Sequence, residues 1–176
     1  MIDEIAESLA LKPSVVVLSV GGGGLLCGVL RGMSRVGWND VPVVAMETMG
    51  ANCLAASVEA GHLVTIPAIT SIAKCLGAQR ACNEAYSWLS RHKVISYVVN
   101  DKDAVNACLK FADDHQMLVQ PACGATLSAL YSDVLLKLHK EGHLKYLKDV
   151  VVIVCGGSGV SLKKLKEWKE TFGIVD

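Results

Sequence analysis

The chain twice runs from a continuous apolar stretch directly into consecutive glycines and then into a helical pattern. Ser14–Val20 (SVVVLSV) leads into Gly21-Gly22-Gly23-Gly24 and the helix-like LLCGVLRGMSRVG. Val150–Val154 (VVVIV) leads into Cys155-Gly156-Gly157-Ser158-Gly159, with a helix expected from Leu162 to Thr171. β-Branched runs without alternation are strands buried on both faces. Joined through short loops to helices, they lay successive strands parallel in one sheet. This predicts an α/β fold, a parallel sheet with helices on both faces, in one domain spanning residues 1–176.

The segments between the two units fit that scheme. Val41–Met46 (VPVVAM) reads as a second buried strand after an Asn39-Asp40 turn. Residues 51–60 form a short helix that Gly61 ends, since a residue without Cβ takes the left-handed closing conformation at low cost. The stretch 62–77 contains Pro67 and has no helical period, so it is an ordered loop. Helix signals return from Gln79 to Arg91, and Val94–Val99 is a further strand. Asn100 or Asp101 caps the helix DAVNACLKFADDH, its side-chain oxygen accepting from the first free amides. After MLVQPACGA, an amphipathic helix is expected from Thr126 to Lys140.

Composition excludes several functions. Seventeen Lys+Arg balance seventeen Asp+Glu, and aromatic residues are 5% of the chain. A neutral chain without a basic run gives no electrostatic footprint for nucleic acid or an acidic membrane. No apolar run approaches the roughly 18 residues of a membrane span. Seven cysteines without a CxxC pair, behind an acidic amphipathic N-terminus, predict free thiols in a reducing, cytosolic setting.

Parallel sheets bind ligands beyond the carboxyl ends of their strands, where both glycine loops fall. Four consecutive glycines let the backbone approach an anion closely, and the amides of Gly22 to Leu25 then open a helix whose dipole favours negative charge. A phosphate fits there. The dinucleotide fingerprint GxGxxG fails, because Leu26 or Cys27 stands at its sixth place, and no GxxxxGK[ST] is present. Glu47, at the end of the second strand, stands where a ribose-binding acid would, which leaves a nicotinamide site as a weaker alternative. His139 and His143 are separated by Gly142, and without a third ligand nearby they read as surface residues.

The motifs SVGGGGLLCG (Ser19–Gly28), VPVVAMET (Val41–Thr48), TSIAKCLGA (Thr70–Ala78), LVQPACGA (Leu118–Ala125) and VVIVCGG (Val151–Gly157) resemble, in order and spacing, the mammalian-type L-serine dehydratases/L-threonine ammonia-lyases. These are pyridoxal-phosphate (PLP) enzymes of the tryptophan-synthase-β-like fold. The resemblance implies that Gly21, Gly22, Gly23, Gly24 and Leu25 hold the PLP phosphate, with Cys155 beside the pyridine nitrogen and Gly156 next to it. It implies β-elimination from L-serine or L-threonine, giving pyruvate or 2-oxobutyrate plus ammonia. It also implies a monovalent cation such as K+ at Glu47, Ala51, Leu76 and Ala78, and a homodimer for the full-length protein. The residues alone leave Glu47 equally open to a second role, capping the following helix.

Three departures from that family stand out. Gln120 occupies a position where relatives usually carry glutamate, and Gly159 one where asparagine is common. The largest is that the resemblance covers only the family's C-terminal part. The half bearing the Schiff-base lysine and the Ser-x-Gly-Asn substrate loop is absent, and Lys74 lies in the wrong motif to substitute. The chain is therefore expected to carry no catalytic residue and to be inactive alone, as an incomplete large domain. The alternative is a non-catalytic truncated paralogue that binds or regulates the full-length enzyme.

Overall fold

In the computed structural model, residues 1–175 are described; Asp176, the last residue of the expected domain, lies outside the described residues. The chain order is α1 (Ile2–Ser8), β1 (Val15–Ser19), α2 (Gly24–Arg35), β2 (Val43–Thr48), α3 (Cys53–Ala60), α4 (Asn83–Trp88), β3 (Val94–Val99), α5 (Asp101–His115), α6 (Pro121–Tyr131), α7 (Val134–Lys140), β4 (Val150–Val152) and α8 (Leu162–Thr171). The four strands form one parallel sheet in the order β3-β2-β1-β4. Every residue of β1 and β2 is buried, which is why Val15–Leu18 and Val43–Met46 read as unbroken apolar runs, while Ser19, Glu47 and Thr48 are polar residues buried at the strand ends.

Strand alternation sends side chains into two cores. Val16, Leu18, Val43 and Ala45 pack with Leu26, Leu30 and Met33 of α2 and with Ile2 and Trp88 on one face. Val15, Val17, Val44 and Met46 pack with Ala122, Ala125 and Ala129 of α6 and with α7 on the other. A third cluster joins α5, α6 and α8 through Phe111, Leu127 and Leu165. The expected α/β architecture, with helices on both faces, is thus the observed one.

Three boundaries depart furthest from the pattern-based expectation, while β4 also stops at Val152 rather than Val154 and α3 begins at Cys53 rather than residue 51. The second strand runs Val43–Thr48, two residues late, because Pro42 has no amide to give the ladder and its carbonyl accepts from Val16 before the strand begins. The helix expected from Gln79 covers only Asn83–Trp88. Residues before it are held by other partners: the Gln79 carbonyl accepts from the Ile66 amide, and the Cys82 amide donates to Gly22.

The third difference is the most consequential. The long helix expected over Thr126–Lys140 is two helices. The first begins earlier, at Pro121, a residue suited to the first helical position because it lacks the amide that would go unpaired there. Asp133, left-handed at φ 56°, then breaks the chain before α7. Nine consecutive residues of α6, Pro121 to Ala129, are buried, so the helix has no polar face to reveal its period. It crosses α5 closely: a Cβ on Gly124 would stand 2.0 Å from the Ala104 carbonyl oxygen.

Candidate cofactor site

From β1 the chain proceeds to β2 and β3 on one side, whereas β4 returns to the other side of β1. The topological switch point therefore falls between β1 and β4, the two strands that carry the glycine loops. Ligands of open parallel sheets lie in the crevice that such a reversal leaves. A cavity of about 250 Å³ occupies this place. Gly21 to Leu25 form one wall, Cys155 reaches it from the other loop, and Gln120 and Cys123 of the α6 N-terminal turn complete it.

The glycine run is required by its neighbours. Gly23 has φ +94°, and a Cβ there would sit 2.4 Å from the Ala85 Cβ. A Cβ on Gly21 would press the Leu76 backbone at 3.2 Å, whereas the Gly24 position meets nothing within 4 Å. The loop is thus wedged from behind and open in front. Gly23 is the N-cap of α2 and has no side chain to bond the first-turn amides, so these amides are left for a ligand. A twelve-residue helix with an uncapped N-terminus at a cavity fits a phosphate.

Cys155 is partly exposed in this cavity, and its thiol is pushed above its ordinary range by burial first and then by the neighbouring Cys123. It is therefore a neutral thiol at pH 7. Although its neighbour Cys155 lines the cavity, Gly156, expected next to the cofactor, is not among the residues that do. Its amide donates to Cys123 Sγ at 3.4 Å and its carbonyl accepts from the same sulfur at 3.3 Å. It anchors the second loop to α6, so its effect on the cavity passes through Cys155.

Glu47 is fully buried, and its two oxygens accept from the amides of Leu54 (2.9 Å) and Ala55 (2.8 Å) at the start of α3. Of its three roles open in the sequence, the capping one is visible in these bonds. Burial raises its carboxyl to about 7, against the opposing pull of both amides. Leu76 closes a 3-10 turn beside the glycine run and its carbonyl accepts from Ala78, while Ala51 turns back on Thr48. Among the described residues no group of three or more His, Cys, Asp or Glu side chains gathers to hold a metal, and Glu47, buried against α3, does not line the glycine-loop cavity where the nicotinamide alternative needs its acid.

Sequence reasoning overlooked what braces this wall. Asn100 caps α5 through the Asp103 amide at 2.7 Å, which releases Asp101. One Asp101 oxygen accepts from the Ser71 hydroxyl (2.6 Å) and the other from the Ile72 amide (3.0 Å), while Ser71 also meets Thr48 (2.8 Å). These bonds fix the segment that carries Cys75 and Leu76 into the cavity. The adjacent Asn-Asp pair was the available signal, since only one of the two can cap. Lys74 does not line this cavity; its ammonium donates to the Ile69 carbonyl at 3.5 Å.

A switch-point crevice with an uncapped helix N-terminus and a neutral thiol opposite has the form that a phosphate-anchored cofactor requires on a parallel α/β sheet. The chain belongs to the pyridoxal-phosphate dependent enzyme family, whose signature matches residues 1–156. It is 50% identical over 177 residues to human L-serine dehydratase/L-threonine deaminase, covering all of this chain and 54% of that protein. It is 49% identical to mouse serine dehydratase-like, covering 98% of this chain and 53% of the relative. The structure of a fungal L-serine ammonia-lyase from Rhizomucor miehei superposes with a TM-score of 0.90 at 37% identity, over 97% of this chain and 54% of that one. The fold is the tryptophan-synthase-β-like one, and the chain spans about half the length of the curated relatives it matches.

Proposed function

We propose that this chain forms the phosphate-binding part of a PLP-dependent ammonia-lyase that converts L-serine and L-threonine to pyruvate and 2-oxobutyrate with release of ammonia. The observation that carries the reading is the cavity between β1 and β4, with uncapped backbone amides on one wall and Cys155 on the other. When bound, PLP supplies an electron sink for the bond broken next to the amino group. The amides of Gly22 to Leu25 hold the phosphate without any cationic side chain, using backbone dipoles already oriented by α2. Cys155, kept neutral, offers the ring nitrogen a hydrogen-bond partner but no counter-charge. That arrangement leaves the ring a moderate electron sink, which suits elimination better than transamination. Gln120 replaces a potential carboxylate at the cavity rim with an uncharged amide, so this wall adds no charge of its own.

The same proposal includes a monovalent cation among Glu47 and the carbonyls of Ala51, Leu76 and Ala78, a homodimeric full-length protein, and a cytosolic setting. The oxygen-only ligand set and the seven free cysteines support the first and the last. One observation favours a second reading: no lysine lines the cavity among the described residues. A chain of that kind could act as a non-catalytic partner of a complete enzyme. The deciding experiment uses the polypeptide that carries this chain, isolated from its source. Borohydride reduction and intact mass are followed by assay of keto-acid formation from L-serine and L-threonine. One fixed pyridoxyl group with PLP-dependent keto-acid release is expected; an unlabelled, inactive polypeptide co-purifying with a labelled one establishes the second reading instead.

A further inference from the structure

Two cysteines from different helices meet behind the glycine loop, outside the cavity. The Sγ atoms of Cys27 and Cys82 are 3.9 Å apart although the residues are 55 positions apart in sequence. Cys27 lies buried in the first turns of α2, and Cys82 is the exposed N-cap of α4. Both are tied to the loop: the Cys27 amide donates to the Gly23 carbonyl (3.0 Å) and the Cys82 amide to the Gly22 carbonyl (2.9 Å). Farther along, the Arg31–Glu84 ion pair joins the same two helices. The two loop bonds and the ion pair thus hold α2 and α4 together where the sulfurs already lie 3.9 Å apart, and reaching the roughly 2 Å of a disulfide bond takes side-chain rotation with whatever backbone adjustment it requires.

We propose that Cys27 and Cys82 form a reversible redox pair, closed to a disulfide by a low-molecular-weight disulfide such as oxidised glutathione. The exposed Cys82 sulfur, as thiolate, attacks one glutathione sulfur. A Cys82–glutathione bond forms, the glutathione S–S bond breaks, and the departing glutathione sulfur takes up the proton that Cys82 lost. The Cys27 sulfur then attacks Cys82, the protein disulfide forms, and the second glutathione leaves with the Cys27 proton. Two protein thiols are oxidised by two electrons and one glutathione disulfide is reduced to two thiols. Burial pushes the Cys27 thiol up to about 12, so the second attack is the slower one. The Cys82 sulfur gives up one weak bond on reacting, from the Ala85 amide at 3.5 Å, whereas the Cys123 sulfur of the competing Cys123–Cys155 pair is held by both the amide and the carbonyl of Gly156. Closure staples the first turns of α2 to α4 directly behind the phosphate wall.

The test is thiol mapping of the folded, reduced full chain after exposure to excess oxidised glutathione, with alkylation of remaining thiols before digestion. The expected product is a Cys27–Cys82 linked peptide, two hydrogens lighter than its reduced parts and lost on treatment with dithiothreitol. Cys27→Ser is expected to stop at a glutathione adduct on Cys82, and Cys82→Ser to leave Cys27 fully alkylatable after denaturation. The wild-type map decides independently of either variant. A stable Cys82–glutathione adduct beside a free Cys27, or a Cys123–Cys155 link in its place, would overturn the proposal.

Discussion

Glu47→Gln separates the burial of a carboxyl from the packing around it. Glu47 has no exposed surface, and its carboxyl rises from an ordinary 4.5 to about 7 because burial disfavours the charge more than two α3 amides favour it. The folded chain therefore binds this proton more tightly than the unfolded chain does. The sign follows: stability from this group is complete below pH 4.5 and is lost as pH rises through about 7. Each decade of proton affinity is worth about 1.4 kcal/mol, so the interval corresponds to about 3 kcal/mol. Glutamine keeps the shape and does not titrate. Its single oxygen can accept from one amide of Leu54 and Ala55, while its NH2 opposes the other, at a pH-independent cost of about 1–3 kcal/mol.

Urea unfolding of wild type and variant from pH 4.5 to pH 8, with tetramethylammonium as the sole buffer cation, isolates the effect. The stability advantage of the wild type should shrink by about 3 kcal/mol across that range. Repeating the series in K+ examines the proposed cation, because a cation beside Glu47 would hold the carboxylate charged and flatten the fall. An advantage that is constant with pH, or that grows, refutes the reasoning.

Three further outcomes follow from the geometry. Gly23→Ala places a Cβ 2.4 Å from Ala85 at φ +94° and must displace the loop; absorbance titration should show at least a tenfold loss of PLP affinity, about 1.4 kcal/mol, with pyridoxal far less affected. Gly124→Ala drives a Cβ to 2.0 Å from the Ala104 oxygen and 2.6 Å from Cys108 Sγ, so α5 and α6 must separate; thermal unfolding should report a loss of about 1–3 kcal/mol or more. Asp101→Ala removes the acceptors of Ser71 and Ile72, costing about 1–3 kcal/mol, and limited proteolysis should speed up within residues 62–77 rather than elsewhere.

Legibility in the sequence tracked how local each cause was. The buried central strands announced themselves, because a strand covered on both faces tolerates no polar alternation. Gly61 was readable for the same reason, as was a cap at Asn100 or Asp101: a left-handed closing residue and a short side chain over free amides act within one helical turn, though the fold alone chose Asn100. The α6 helix was not readable by period, since Pro121 to Ala129 are all buried, with Ala122, Ala125 and Ala129 against the sheet and Gly124 against α5. Only Pro121 marked its start, and nothing nearby marked Asp133 as its break.

The site divides along the same line. Four adjacent glycines determined by themselves that the chain would present bare amides at a helix start, because a missing Cβ is a property of the residue and not of its surroundings. That Cys155 shares their cavity while Gly156 is spent on Cys123 depended on how β4 pairs with β1 and where α6 begins. Glu47 was undecided in sequence for the same reason. A carboxylate at a strand end can serve a helix or a ligand, and only the folded chain brings the amides of Leu54 and Ala55 to its two oxygens. Short-range sterics wrote the elements and the phosphate loop into the sequence; which side chains meet across that loop was decided by the packing of elements far apart along the chain.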